Sequence, residues 1–74
     1  MTTQTLDVTG LKCPLPILKA KKALAQMQAG DVLTVLATDA GAPDDFAAFC
    51  RQTGHQLLES AQENSCFRLV VQHK

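Results

Sequence analysis

The chain has 74 residues, of which seven are basic and seven acidic, so its formal net charge is zero. This length suits a single domain spanning 1–74 and leaves no room for a second. A hydrophobic content of 46% predicts a folded core, although a chain this short buries only about 60% of the surface that its unfolded form exposes. A neutral chain with three aromatic residues lacks the basic stripe or stacking rings of a nucleic-acid surface, so we expect no stable direct nucleic-acid binding.

No segment approaches the roughly 20 apolar residues that span a bilayer, and the first residues, MTTQT, lack the basic and apolar regions of a secretory signal. We therefore expect a cytoplasmic protein without membrane contacts. Three cysteines, an odd number, argue against a disulfide framework and leave thiol chemistry open. Two widely spaced histidines give no ligand cluster, so neither a metal nor another cofactor is expected.

Glycines at positions 10, 30, 41 and 54 divide the chain into segments with regular hydrophobic patterns. Apolar residues recurring every three to four positions predict a helix, and short alternating or β-branched runs predict a strand. These patterns predict the order strand, helix, strand, helix, strand, strand, over residues 4–8, 14–27, 31–37, 43–53, 55–61 and 66–72. A polar turn at 62–65 joins the last two strands into a hairpin.

Each helix is predicted to bury one face. In the first helix that face carries Ile17, Ala20, Leu24 and Met27. In the second it carries Phe46, Phe49, Cys50 and Thr53. Two helices on one face of a four-stranded mixed sheet give an α/β two-layer sandwich of the order β-α-β-α-β-β. The pattern leaves the other sheet face open, either to solvent or to another subunit.

The segment most informative about function is GLKCPLP, residues 10–16, between the first strand and the first helix. Cys13 is predicted to be the N-cap of that helix. The unpaired N–H groups and partial positive charge of a helix N-terminus favour a thiolate over a thiol, and Lys12 adds the nearest fixed positive charge. We therefore expect Cys13 to be exposed and nucleophilic.

The neighbours of Cys13 are predicted to support this site. Pro14 and Pro16, expected at the first and third helical positions, lack N–H groups and fix the geometry of the turn. The N–H group of Leu15 is left available to stabilise a sulfur anion. The predicted supporting residues are Gly10, Lys12, Pro14, Leu15 and Pro16.

Leu6-Asp7 followed by GLKCPLP resembles the Cys-Pro-x-Pro signature of the TusA/SirA-like sulfur-carrier family. The second half of the chain is similar to that family at Asp39, Asp45-Phe46, Phe49-Cys50 and Gly54-His55-Gln56-Leu57. The resemblance therefore covers almost the whole chain. One departure is Ala40, since the family commonly has proline directly after the residue that matches Asp39.

The resemblance implies that Cys13 accepts sulfane sulfur as a persulfide and passes it to a protein thiol. It implies a cysteine desulfurase or a rhodanese as sulfur donor and a downstream protein as acceptor. The implied pathways are tRNA 2-thiouridine formation, molybdenum-cofactor synthesis and sulfur metabolism. The activity would be that of a sulfurtransferase.

A partner-docking patch is predicted beside Cys13. Leu15 and Leu18 fall off the core face of the first helix, and Lys19 and Lys22 lie next to them. An apolar centre with a basic rim suits an acidic partner. The alternative is that the loop at 40–43 covers both leucines.

Two other classes of function are compatible with the same residues. In a thiol redox protein, Cys13 would cycle through sulfenic acid and need Cys50 or Cys66 as a resolving thiol. In a regulatory module without catalysis, Cys13 would only cap the helix. The pattern places Cys50 in the core, Cys66 half exposed on the last strand, and His55 in a connection rather than beside Cys13 as a base.

Overall fold

A computed structural model describes residues 2–74 and contains the predicted elements in the predicted order. They are β1 (Thr3–Val8), α1 (Leu15–Ala25), β2 (Val32–Ala37), α2 (Ala42–Thr53), β3 (Gln56–Glu63) and β4 (Cys66–Gln72). The largest differences from the predicted ends are at the C-termini of α1 and β3. α1 is shorter than predicted because the N–H of Met27 bonds to the carbonyl of Leu24, three residues back, instead of continuing the helix.

The four strands form one mixed sheet in the order β1-β2-β4-β3. β1 and β2 are parallel, whereas β4 is antiparallel to both β2 and β3. Only Asn64 and Ser65 join β3 to β4, where the sequence predicted four turn residues. Asn64 has a φ of +58°, which asparagine tolerates better than most residues, so the chain reverses within two positions.

The core lies between the helices and one face of the sheet, as predicted. Its largest fully buried side chains come from all elements except β3: Val8, Leu24, Leu33, Val35, Phe46, Leu69 and Val71. Burial of each such side chain stabilises the fold by about 1.5–3 kcal/mol. Six of the eight residues predicted on the helix faces are buried, and the other two, Ile17 and Thr53, are half-buried.

The sheet face away from the helices mixes apolar and charged side chains. Arg68 on β4 pairs with Glu59 at 2.6 Å and with Glu63 at 3.6 Å across the hairpin. The half-buried Leu36 and Val70 lie on the same face, as the strand alternation of β2 and β4 indicates. This face is thus the open one that the sequence predicted.

Candidate functional site

The loop between β1 and α1 is anchored before it reaches Cys13. The N–H and hydroxyl groups of Thr9 donate hydrogen bonds to Oδ1 of Asp7, at 2.9 and 2.7 Å. The N–H of Gly10 donates to Oγ1 of Thr38 at 2.8 Å, which ties the loop to the end of β2. Gly10 has a φ of +81°, a conformation that glycine adopts without steric cost.

Cys13 lies in a tight turn directly before α1. The N–H of Leu15 donates to the carbonyl of Lys12 at 2.9 Å and closes this turn, and the N–H of Leu18 donates to the carbonyl of Pro14 at 3.1 Å. The N-cap is Pro14, so the prediction that Cys13 caps the helix is wrong. The prediction that the Leu15 N–H is available to a sulfur anion is also wrong, because this N–H already bonds to the carbonyl of Lys12. The Cys13–Pro14 peptide bond is cis.

Two carboxylates from the second half of the chain lie beside Cys13. Asp39 follows β2, and Asp45 lies in the first turn of α2. They converge on Gly41, whose Cβ position would be 3.4 Å from Oδ2 of Asp39 and 3.6 Å from Oδ2 of Asp45. Parallel strands place the starts of α1 and α2 at the same edge of the sheet, which brings these carboxylates to Cys13.

The electrostatic surroundings of Cys13 are the opposite of those predicted. Its side chain is exposed, as expected. The nearby Asp45 carboxylate, which favours the protonated thiol, then desolvation and the charges of Asp45 and Asp39, raise the pKa of the Cys13 thiol. The carboxylates therefore favour the protonated form of Cys13, whereas the sequence predicted that the helix N-terminus and Lys12 would favour the thiolate.

Cys13 and Asp45 lie at one end of a groove between α1 and α2, with a volume of about 320 Å³. Ile17, Leu18 and Lys21 of α1 form one wall, and Ala48, Phe49 and Gln52 of α2 form the other. A second hollow of about 260 Å³ shares Lys21, Phe49 and Thr53 with this groove. The accessible thiol thus borders a largely apolar groove.

The predicted docking leucines are both exposed, Leu15 at 46% and Leu18 at 52%. The loop at 40–43 therefore leaves them accessible. Leu18 lines the groove together with Cys13. Pro16, predicted to support the turn from the third helical position, is buried at the second.

The lysines of α1 divide between two sides of the helix. Lys19 and Lys22 line a separate hollow with Leu6, not the groove that holds Cys13. Lys21 lines the groove instead, and the sequence analysis missed it. Its position three residues after Leu18 puts the two on one side of the helix, a spacing that could have identified it.

The other two cysteines are less accessible than Cys13. Cys50 is buried at 5% exposure, and this burial raises the pKa of its thiol. Cys66 is half-buried on the open face, where its thiol lies 3.8 Å from the carbonyl oxygen of Phe67. All three cysteines are free thiols.

His55 lies away from Cys13, as the sequence indicated. Its ring contacts Phe49 and His73 in the second hollow, whereas Cys13 lines only the first groove. Within residues 2–74, no three His, Cys, Asp or Glu side chains are grouped as metal ligands would be. In the same range, neither helix has the length and apolar character needed to cross a membrane.

Comparison with known proteins identifies a matching family and similar sulfur carriers. Residues 4–73 match the family model described as sulfurtransferase TusA. A protein of Neisseria meningitidis serogroup A, described as a sulfur carrier, is 76% identical over the full length of both chains. The sulfur carrier protein TusA of Allochromatium vinosum is 53% identical over 92% of this chain and 90% of its own.

A solved structure gives the same picture of the fold. The crystal structure of the SirA-like protein of Desulfitobacterium hafniense superimposes with a TM-score of 0.83 and 31% sequence identity. The match covers 93% of this chain and 95% of that protein. The two-layer sandwich and its element order are therefore shared with a SirA-like protein.

Proposed function

Because the chain belongs to the TusA sulfurtransferase family, we propose that it carries sulfane sulfur as a persulfide on Cys13. The observation that supports this most is the exposure of Cys13 at the end of the groove, since Cys50 is buried and Cys66 half-buried. A sulfur carrier meets at least two other proteins, one that loads it and one that unloads it. An exposed thiol in a short, anchored turn can reach the cysteines of both.

Transfer of sulfur from the donor to Cys13 needs no oxidant or reductant. The Cys13 thiol loses its proton to solvent, and the thiolate attacks the outer sulfur of a persulfide on the donor protein. An S–S bond forms between Cys13 and that sulfur while the donor's S–S bond breaks. The donor's cysteine sulfur leaves as a thiolate with the electron pair. In unloading, the acceptor's thiolate attacks the outer sulfur on Cys13, and Cys13 leaves as the thiolate.

The proposed donor is a cysteine desulfurase or a rhodanese, and the proposed acceptor is a downstream sulfur-carrying protein in the cytoplasm. Such a relay would serve tRNA 2-thiouridine formation or another branch of sulfur metabolism. The exposed Leu15 and Leu18 form the apolar part of the proposed docking surface, and Lys19 and Lys22 belong to its outer flank. Burial of exposed apolar side chains is a favourable term in most protein–protein association.

Sulfur loading tests the proposal. The wild type, Cys13→Ser and Cys66→Ser proteins would each be incubated with a cysteine desulfurase and cysteine, and intact masses recorded without reductant. We expect one reducible sulfur atom on the wild type and on Cys66→Ser, and none on Cys13→Ser. A rhodanese with thiosulfate is the second donor. Absence of loading from both donors, or equal loading of Cys13→Ser, would overturn the proposal.

A further inference from the structure

We propose that Asp45 holds Cys13 as a poorly reactive thiol in the free protein, and that a cationic side chain of the docking protein activates Cys13 by pairing with this carboxylate. The inference rests on the proposed role of Cys13 as the sulfur-carrying residue. It assigns Asp45 as a positioning residue that acts through Cys13. It also describes the partner: a protein with an arginine or lysine next to its own persulfide or thiol.

The geometry leaves Asp45 accessible to such a cation. Asp45 and Cys13 line the same open groove, and Asp39 approaches Asp45 across Gly41. The ion pairs found among residues 2–74 all involve Arg68, on the far face of the sheet. Two neighbouring carboxylates without a cationic partner in this part of the chain therefore flank the reactive thiol. They form a negative site that a basic side chain can neutralise.

Both positively and negatively charged side chains surround the Cys13 thiol. Lys12 precedes Cys13, and Lys21 lines the groove. The two groups that act on the thiol are Asp39 and Asp45, and these two carboxylates raise its pKa. At an ordinary pKa of about 8.5, only about 3% of a thiol is ionised at pH 7, and a raised pKa leaves less. Because the thiolate is the nucleophile, the free protein is protected from non-specific reaction.

Asp45 is poorly suited to act as a general base for this thiol. A carboxylate is a far weaker base than a thiolate, so it does not remove the proton of a neighbouring thiol. The carboxylate therefore restrains Cys13 for as long as it carries an uncompensated charge. A cation placed within about 4–6 Å reverses the local charge and lowers the thiol pKa, which supplies thiolate only when a suitable partner has docked.

Alkylation of Cys13 in the free protein tests the restraint separately from sulfur transfer. Modification by iodoacetamide, a neutral reagent, would be followed on the Cys13 peptide as a function of pH for the wild type, Asp45→Asn and Asp44→Asn. Asp44 is the matched control, because it is an exposed aspartate in the same turn of α2 and removing it changes the net charge equally. We expect Asp45→Asn to lower the midpoint of the pH profile and Asp44→Asn to leave it close to that of the wild type.

The expected rate change follows from thiol chemistry. Near pH 7, each unit by which the pKa falls should speed alkylation about threefold, because tenfold more thiolate is partly offset by its lower nucleophilicity. A hexa-arginine peptide should accelerate alkylation of the wild type more than that of Asp45→Asn. Superimposable profiles for the wild type and Asp45→Asn would overturn the restraint, and equal effects of the peptide would overturn activation by a cation. Failure of the wild type to load sulfur would instead overturn the proposed function, which alkylation does not measure.

Discussion

The imidazole of His55 packs against the imidazole of His73, with their ring centroids 4.7 Å apart. Nδ1 of His55 accepts a hydrogen bond from the backbone N–H of Lys74 at 3.1 Å. The N–H and carbonyl groups of His73 bond to Asp31 and Gly30. The segment after β4 is thus held to the turn before β2 on one side and to His55 on the other.

This contact makes stability depend on pH. Desolvation, then the positive charges of His73 and Lys74, lower the pKa of His55. A lowered native pKa means that stabilisation is fully present above the unfolded value of about 6.5 and is lost as the pH falls through the native pKa. We expect the urea midpoint of the wild type to fall between about pH 7 and about pH 5, below the ordinary histidine pKa.

The variant His55→Gln is the control for this prediction, because its amide can still accept a hydrogen bond from Lys74 but does not titrate. Its urea midpoint should change less than that of the wild type over the same pH range. Equal changes in the two proteins would show that His55 does not carry the effect.

The core and the surface of the sheet should respond differently to loss of a leucine. Leu69 is fully buried on β4, whereas Leu58 on β3 is 52% exposed. Leu69→Ala should lower the free energy of unfolding by about 2–5 kcal/mol, because it removes buried methyl groups and leaves a cavity. Leu58→Ala should change it by less than about 0.5 kcal/mol. Urea unfolding of both variants checks the prediction, and similar losses in the two would contradict the placement of the core.

Docking of a sulfur donor should depend on Leu18. Leu18 and Leu58 are equally exposed, at 52%, but only Leu18 lines the groove that ends at Cys13. Leu18→Glu should raise the KM for sulfur uptake from a cysteine desulfurase, because it places a charge at an apolar contact. Leu58→Glu should leave KM near the wild-type value. Equal effects of both substitutions would place docking elsewhere on the chain.

Much of the fold follows from local patterns in the sequence. The three-to-four spacing in α2 identified Phe46 and Phe49 as core residues. Gly54 ends α2 with a φ of +91°, the left-handed conformation expected of a glycine after a helix. These features depend on neighbours along the chain, which a single sequence reveals.

The electrostatics of the site depend on contacts between distant segments. The helix N-terminus beside Cys13 was visible in the sequence, and it suggested a stabilised thiolate. The approach of Asp45 was not predicted, although a parallel β1–β2 pair would bring the starts of both helices to one edge of the sheet. The turn closed by the Leu15 N–H also displaced Cys13 from the cap position, because that amide bonds to the backbone of Lys12.

The most direct test of the central claim is a pulse and chase with isotopically labelled sulfur. The protein would be loaded by a cysteine desulfurase from sulfur-labelled cysteine, and the peptides that contain Cys13, Cys50 and Cys66 would be analysed separately by mass spectrometry. The account predicts that label appears on the Cys13 peptide and leaves it when excess acceptor thiol is added. Label that accumulates on Cys50 or Cys66, or that never reaches Cys13, would contradict it.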